Sequence, residues 1–273
     1  MNITCKGKII DLNTPKIMGI LNITPDSFFD GGKYDSDKEI IKQTKKMLKQ
    51  GATFIDIGAY SSRPNAKHIS ESEELNRILP VVELLVKEFP EILISIDTFR
   101  SQVAEKCIEA GACLINDISG GSLDKNMFKT IAKYQVPYIL MHLKGTPQNM
   151  QNNPKYNDVI QEITDYFITK TNQLKALNVK DIILDVGFGF GKSIEHNYTI
   201  LNELNKFTKL EYPILAGISR KSMLYKVLGS KPSKMKNATT VANTIALLHG
   251  ASILRVHDVK EAMECIQIVT YNS

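Results

Sequence analysis

Tryptophan is absent from the 273 residues, and cysteine occurs only four times. The cysteines lie far apart, at Cys5, Cys107, Cys113 and Cys265, and no C-x-x-C pair occurs among them. This distribution argues against the disulfide framework of a small secreted protein. We expect reduced thiols and a cytoplasmic location, with ten phenylalanines and ten tyrosines contributing to the core.

Long apolar runs are also absent. No stretch approaches the ~18 consecutive apolar residues that a membrane span requires. The first residues, MNITCKGKIIDLNTPK, contain no apolar signal region or cleavage site, so secretion is not expected.

The net charge of +5 fits acidic small-molecule ligands and also an ordinary cytosolic surface. The lysine-rich stretches KQTKKMLK and KPSKMK are interpreted as solvated faces, so neither a nucleic-acid nor a membrane partner is predicted.

Complete nucleotide-binding motifs are missing, although DVGFGFGKS ends in the Gly-Lys-Ser of a P-loop. The P-loop pattern requires glycine five positions before Gly191, where Val186 stands. The dinucleotide pattern fails because Lys192 follows Gly187 and Gly189 at the third required position. The stretch is therefore interpreted as a loop that carries Asp185 and an aromatic wall formed by Phe188 and Phe190. Lys192 and Ser193 are assigned to the connection into the next helix.

Zinc-binding and nucleophile motifs are incomplete as well. The five histidines show no H-E-x-x-H pattern, and His142 is expected to play a supporting role. The stretch GISRKS resembles a nucleophile elbow, but Lys221 occupies the position of its last glycine.

One pattern repeats along the chain: a short apolar run ends in a polar residue or glycine, and an amphipathic stretch follows. The eight runs are KIMGILN, TFIDIG, ILISIDT, CLINDIS, PYILMH, DIILDVG, PILAGIS and SILRVHD. Continuous apolar strands are typical of a parallel sheet covered on both faces. Eight such units predict an α/β fold, a single (β/α)8 TIM barrel over residues 1–273, with a short N-terminal β-hairpin turning at 6–8. An open doubly wound sheet is the alternative, and the missing cofactor fingerprint disfavours it.

Helix signals fall between the apolar runs. Ser36 with Glu39, and Ser70 with Glu73, have the spacing of capping boxes. Further helices are predicted over residues 101–110, 124–133, 158–177, 195–206, 239–249 and 261–269.

Polar residues end the predicted strands, at the edge where barrels of this kind carry their sites. They are Asn22, Asp56, Asp97, Asn116, Asp117, His142, Asp185, Ser219 to Lys221, Arg255 and His257. Carboxylates and amides converging on one opening suggest a ligand rich in N–H donors, such as a flat heterocycle with a guanidine-like edge. For Asp56 or Asp117, capping of the next helix or pairing with a lysine of a neighbouring strand is an equally good interpretation. The cations that follow the last two strands predict an anion site there.

Two polar loops, ITPDSFFDGGKY and AYSSRPNAKHIS, follow the first two predicted strands. Long loops at a barrel mouth are commonly lids or binding loops. The adjacent Phe28 and Phe29 favour a binding role over a plain surface connection.

A family resemblance emerges from these segments. MGILNITPDSFFDGG, SSRP, SIDT, NDISGG, MHLKGTPQNMQ, DVGFGFGK, GISRKSML and LRVHDV together resemble the dihydropteroate synthases of folate biosynthesis, in order and over nearly the whole chain. The resemblance implies a transferase that joins 4-aminobenzoate to (7,8-dihydropterin-6-yl)methyl diphosphate, releases diphosphate and is a sulfonamide target. It also implies a homodimer. Two departures stand out: Val186 replaces a common proline, and Tyr60 precedes SSRP where an acidic residue is common.

The resemblance also implies roles for particular residues. The pterin would bind Asp97, Asn116, Met141, Asp185 and Lys221, and the diphosphate would bind Asn22, Arg255 and His257. Mg²⁺ would accompany the diphosphate through Asn22. The 4-aminobenzoate pocket would comprise Phe28, Ser62, Arg63, Pro64, Phe190 and Ser222. The implied catalytic residues are Asp97, Asp185, Lys221 and Arg255, which would stabilise charge in the pterin and the leaving group.

Two other functions are compatible with a pterin-binding barrel. A methyltransferase acting between a reduced folate and a corrinoid partner would not need the two long loops or the Arg255/His257 pair. A non-catalytic pterin binder would have no use for leaving-group contacts.

Overall fold

Eight parallel strands close into a barrel in the computed structural model, which describes residues 1–23, 37–61, 68–146, 150 and 154–271. The predicted (β/α)8 fold and the N-terminal hairpin are confirmed. The barrel order is β10-β3-β4-β5-β6-β7-β8-β9. In chain order the strands are β1 (Asn2–Cys5), β2 (Lys8–Asp11), β3 (Lys16–Asn22), β4 (Phe54–Gly58), β5 (Ile94–Asp97), β6 (Leu114–Asp117), β7 (Tyr138–Met141), β8 (Ile182–Asp185), β9 (Ile214–Ala216) and β10 (Ile253–Val256).

Helices alternate with the barrel strands. They are α1 (Asp37–Lys49), α2 (Glu71–Glu88), α3 (Ser101–Glu109), α4 (Met127–Tyr134), α5 (Val159–Ala176), α6 (Ile194–Asn202), α7 (Ser222–Val227), α8 (Lys236–Leu248) and α9 (Val259–Val269), with 3-10 helices at Leu204–Leu210 and Pro232–Lys234. The Ser70 side chain caps α2 by accepting from Glu73 N at 3.1 Å, which is one of the two bonds of the predicted capping box. The Glu73 side chain accepts from Arg77. The other predicted box lies partly outside the described residues, since it begins at Ser36.

One helical prediction needs correction, and one helix has no signal in the sequence. The helix expected over residues 195–206 ends at Asn202, and the chain continues as the 3-10 helix Leu204–Leu210. No helical pattern in the sequence predicts α7, because its six residues are too few to display a helical apolar period.

The interior of the barrel changes from apolar to polar along β4, β6, β8 and β10. At the end of the barrel covered by the hairpin, the strand residues Phe54, Leu114, Ile183 and Ile253 belong to one apolar cluster with the hairpin residue Ile3. Alternate residues of a strand point to the same face. The next inward positions are therefore Asp56, Asn116, Asp185 and Arg255, two residues further along. The sequence alternation thus places an apolar plug at one end of the barrel and polar side chains at its carboxyl end.

Strand register aligns four mouth residues in one row. Asn22 pairs with Gly58, Gly58 with Asp97, and Asp97 with Asn116 across β3 to β6. On the other side of the barrel, Met141 pairs with Asp185. The outer core lies between the strands and the surrounding helices.

Candidate active site

Arg255 joins two carboxylates at the barrel mouth. Its Nε donates to Asp56 Oδ2 and its Nη2 to Asp97 Oδ2, both at 2.6 Å. Asp56 is fully buried and also accepts from Ser95 Oγ at 2.6 Å and from Asn116 Nδ2 at 3.1 Å. A buried charge is costly unless it is paired and hydrogen-bonded. Asp56 therefore serves as the fixed counter-ion that orients Arg255 and Asn116.

Gly58 leaves room between Asn22 and Asp97. A Cβ atom at this position would lie 3.6 Å from both Asn22 Oδ1 and Asp97 Oδ2. A larger side chain on β4 would occupy the space that these two oxygens border. The predicted diphosphate residue Asn22 and the predicted pterin residue Asp97 therefore flank one gap.

Asp185 lies on the opposite side of the mouth, against a tight turn. Its Oδ1 accepts from Gly187 N at 2.8 Å. Gly187 has a φ of +69°, and a Cβ there would lie 2.1 Å from the carbonyl oxygen of His142. Only glycine fits this position, because the turn presses against the end of β7. The glycine of DVGFGFGKS thus fixes the carboxylate that precedes it.

Lys221 connects this turn to the start of α7. Its Nζ donates to the carbonyl oxygen of Phe188 and lies 4.3 Å from the ring centroid of Phe190. Asp185 opposes the lowering of the Lys221 pKa, as expected for neighbouring opposite charges. Phe188 is fully buried in the outer core, so the expectation that it forms part of the aromatic wall is wrong and Phe190 alone contributes from this loop.

The charged groups of the mouth have shifted pKa values. Burial raises the pKa of Asp97 to about 7; Arg255 opposes this shift and Asp56 adds to it. Burial likewise raises the pKa of Asp185, with Lys221 opposing. Burial lowers the pKa of Lys221 to about 8. Perturbed titratable groups gathered in one opening are characteristic of functional sites.

An apolar wall borders the acidic groups. Met141 packs with Phe99 and Ile118, and partly buried side chains including Tyr60 and Phe190 contact this cluster. The Tyr60 and Phe99 rings meet edge to face with centroids 5.1 Å apart. The wall gives a flat aromatic ligand an apolar surface beside hydrogen-bonding groups.

The residues after β9 and β10 are linked to each other. Ser219 Oγ lies 2.9 Å from His257 Nδ1, which fixes the orientation of the imidazole. Arg220 forms a two-bond ion pair with Asp258, at 3.0 and 2.8 Å. Ser222 is the first residue of α7. The cations that point toward the acidic groups are therefore Lys221 and Arg255, whereas Arg220 binds sideways to the neighbouring loop.

Four predicted 4-aminobenzoate residues lie outside the described residues: Phe28, Ser62, Arg63 and Pro64. The described members of that set, Phe190 and Ser222, both lie close in sequence or space to Lys221. His142 is buried against Lys192 and Tyr166, and its supporting role stays a prediction.

Sequence reasoning left two contributors unassigned. Asp56 was among the strand-end carboxylates, but its partner Arg255 could not be identified because the contact crosses the barrel interior. Ser95 lies two residues before Asp97 on β5, so alternation places both side chains toward the barrel interior. That alternation is the signal by which Ser95 could have been found.

Comparison with known proteins identifies the class. A family model described as "Pterin binding enzyme" matches residues 18–257, which contain the barrel strands and the mouth residues. The chain therefore belongs to the pterin-binding enzymes.

Similar proteins define its place in that class. The dihydropteroate synthase of Haemophilus influenzae is 42% identical over 270 residues, covering 98% of each chain. The crystal structure of Yersinia pestis dihydropteroate synthase with a sulfonamide drug has a TM-score of 0.94 and 41% identity, covering 99% of this chain and 98% of that one. The Xanthomonas albilineans enzyme in complex with 7,8-dihydropteroate has a TM-score of 0.89 and 31% identity, at 99% and 98% coverage. These similarities confirm the resemblance seen in the motifs: within the class, the chain is of the dihydropteroate synthase type and is a transferase.

No helix in the described part of the chain is long and apolar enough to cross a membrane.

Proposed function

We infer that the chain condenses 4-aminobenzoate with (7,8-dihydropterin-6-yl)methyl diphosphate, giving 7,8-dihydropteroate and diphosphate for tetrahydrofolate biosynthesis. The observation that carries the inference is the gathering of four charged groups at one barrel mouth: Arg255 donates to Asp97, and Asp185 and Lys221 are close enough to influence each other's pKa. A site that combines acidic and cationic groups suits a substrate that is rich in N–H donors at one end and anionic at the other.

The pterin is assigned to the acidic groups. Its guanidine-like edge matches a carboxylate, which accepts two parallel N–H bonds. Asp97, Asn116 and Asp185 supply oxygens from β5, β6 and β8, and Met141 supplies an apolar surface between them. Lys221 donates to an acceptor on the ring. The substrate then replaces water around groups that the protein has already oriented.

The diphosphate is assigned to Asn22, Arg255 and His257. Arg255 is held by Asp56 and Asp97, so its guanidinium is oriented before the anion arrives. His257 is oriented by Ser219. Preorganised donors of this kind stabilise a departing anion without having to reorient during the reaction.

Bond breaking precedes bond making at the pterin methylene carbon. The C–O bond breaks as its electron pair leaves with the diphosphate, and positive charge spreads into the pterin. Asp97 and Asp185 stabilise that charge. The 4-aminobenzoate nitrogen then forms the C–N bond and loses a proton to solvent. A single electrostatic contact of this type typically contributes ~2.7–4 kcal/mol to lowering a barrier.

Mg²⁺ fits the residues as an ion delivered by the substrate. In the described residues no group of three or more His, Cys, Asp or Glu side chains could hold a metal. Asn22 offers one amide oxygen beside the gap at Gly58. Mg²⁺ is commonly bound through few protein oxygens together with substrate phosphates. We therefore assign Asn22 to Mg²⁺, which would neutralise charge on the diphosphate.

The 4-aminobenzoate is assigned to Phe190 and Ser222, together with Phe28, Ser62, Arg63 and Pro64. Phe190 lies beside Lys221 and belongs to the apolar wall, so an aryl ring stacked there would meet the pterin methylene. The sulfonamide-bound relative supports the assignment of this chain as a sulfonamide target.

A homodimer is proposed from an apolar face formed by α8 and by Leu228, the residue that follows α7. Leu228, Val241 and Leu248 are more than half exposed there. They adjoin a groove of about 260 Å³ lined by α6, α7 and α8. Exposed apolar patches of this kind mark association surfaces. Analytical ultracentrifugation should give a dimer, Val241→Asp should shift it toward monomer, and Ile9→Asp on the distant exposed hairpin should not.

The reduced, buried cysteines fit a cytoplasmic enzyme.

The test of the function is direct. Purified protein is incubated with Mg²⁺, the pterin diphosphate and radiolabelled 4-aminobenzoate. Labelled 7,8-dihydropteroate and one equivalent of diphosphate are expected. A folded protein that forms neither product would rule the proposal out.

A further inference from the structure

Lys192 is a buried lysine that the proposed reaction does not use. The residue is 4% exposed although it belongs to the connection between β8 and α6. Its Nζ lies 3.0 Å from Gly187 O, 2.9 Å from Phe190 O and 3.0 Å from His142 Nδ1. Burying the polar end of a lysine is costly unless its N–H donors are satisfied. These three acceptors satisfy the donors of Lys192.

Lys192 holds the turn that carries two site residues. The turn is closed by Phe190 N donating to Gly187 O at 3.0 Å. Lys192 binds the carbonyl oxygens at both ends of this turn, and Lys221 binds the carbonyl of Phe188 in between. Two lysines therefore share the carbonyls of one short segment.

The position of this turn determines the positions of Asp185 and Phe190. Gly187 N donates to Asp185 Oδ1, so any movement of Gly187 changes the position of that carboxylate. Phe190 carries the aromatic ring that lies against Lys221. A change at Lys192 is therefore transmitted to both proposed substrate pockets through the backbone.

We propose that Lys192 is a positioning residue that holds the Gly187–Phe190 turn, so that Asp185 is presented to the pterin and Phe190 to 4-aminobenzoate. The proposal rests on the proposed roles of Asp185 and Phe190. Lys192 itself contacts backbone carbonyls and His142 and touches neither substrate.

The pKa shifts of Lys192 and its neighbours agree with these contacts. Burial lowers the pKa of Lys192 to about 7, Asp185 opposes the shift and Lys221 adds to it. Burial, followed by the charge of Lys192, lowers the pKa of His142 to about 2. The imidazole is therefore neutral, and its Nδ1 can accept from Lys192 Nζ. Asp185 faces Lys192, Lys221 and Arg255, each of which opposes the rise in its pKa.

The test replaces Lys192 with methionine, which has a similar length but no charge and no donor. Lys192→Met is expected to weaken binding of 6-hydroxymethyl-7,8-dihydropterin about tenfold in calorimetry and to raise the KM for 4-aminobenzoate severalfold. Lys144→Met is the matched control, because Lys144 also donates to a backbone carbonyl, that of Lys155, but on the exposed side of the neighbouring loop. It should leave both values within twofold of the unmodified protein.

A double-mutant cycle separates positioning from general stability. If Lys192 acts through Asp185, adding Lys192→Met to Asp185→Asn should weaken pterin binding less than threefold further. A full tenfold loss in that background, or unchanged pterin binding and KM in the single variant, would overturn the proposal. Should Lys192→Met not fold, Lys192→Leu, which also lacks charge and an N–H donor, is judged by the same readouts. Failure of the unmodified protein to form dihydropteroate would count against the proposed function instead.

Discussion

Replacing Asp185 with asparagine tests the pterin assignment with little disturbance of the fold. Asparagine keeps the volume and the Oδ1 atom that accepts from Gly187 N, but it removes the charge beside Lys221. Because burial raises the pKa of Asp185, folding favours its protonated form, and the ionised form costs stability as pH rises through the folded pKa. A neutral amide avoids this cost, so the melting temperature at pH 8 should stay equal or rise.

The expected loss follows from the interaction that disappears. A hydrogen bond to a charged group contributes ~1.5–3 kcal/mol, and each ~1.4 kcal/mol is tenfold in affinity. Asp185→Asn should therefore weaken binding of 6-hydroxymethyl-7,8-dihydropterin roughly 10- to 100-fold. The loss in kcat should be larger, about 100- to 1,000-fold, because the charge on the pterin develops in the transition state.

Calorimetry and steady-state kinetics measure these effects, and Asp117→Asn provides the control. Asp117 is an equally buried strand-end carboxylate, but it accepts from Tyr138 OH, Ser119 N and Gly121 N at 2.7–2.8 Å. Its substitution should lower the melting temperature, because an amide nitrogen in place of Oδ2 cannot accept from Tyr138 OH and Gly121 N. It should not change pterin affinity. Unchanged pterin binding in a folded Asp185→Asn protein would refute the assignment.

Three further outcomes are expected. The kcat/KM for the pterin diphosphate should rise as pH increases through about 7, where Asp97 ionises. It should fall above about 8, where Lys221 loses its proton. The rise on the acid side should be absent in Asp97→Asn. Sulfonamides should inhibit competitively with 4-aminobenzoate, and a flat inhibition curve far above the substrate concentration would contradict the proposed pocket. Chelation with EDTA should abolish turnover of the diphosphate substrate, and added Mg²⁺ should restore it. Binding of the hydroxymethyl pterin should not change on chelation. If chelation weakened both equally, there would be no reason to place Mg²⁺ at Asn22.

Much of the fold follows from local sequence pattern. The eight apolar runs and their following helices identify the barrel, since continuous apolar strands must be covered on both faces. The two-residue alternation places Asp185 and Arg255 on the inner face above Ile183 and Ile253. The family resemblance then added roles that alternation alone cannot assign.

Contacts across the barrel were beyond sequence reasoning. The pairing of Arg255 with Asp56 depends on how strands β10 and β4 are staggered around the closed sheet, which no local pattern encodes. The burial of Lys192 depends on the close approach of Gly187 to the carbonyl of His142. Phe188 was misplaced for a related reason, because the turn directs it into the outer core.

The assignments at Phe28, Ser62, Arg63 and Pro64 stay predictions from the resemblance, since these residues lie outside the described part of the chain.

The most direct measurement is a crystal structure of the protein with the pterin diphosphate, Mg²⁺ and a sulfonamide. Our account predicts the N–H edge of the pterin on Asp97 and Asp185, the diphosphate at Arg255 and His257, and the sulfonamide ring against Phe190. A pterin bound away from both carboxylates, or a diphosphate that Arg255 does not contact, would contradict it.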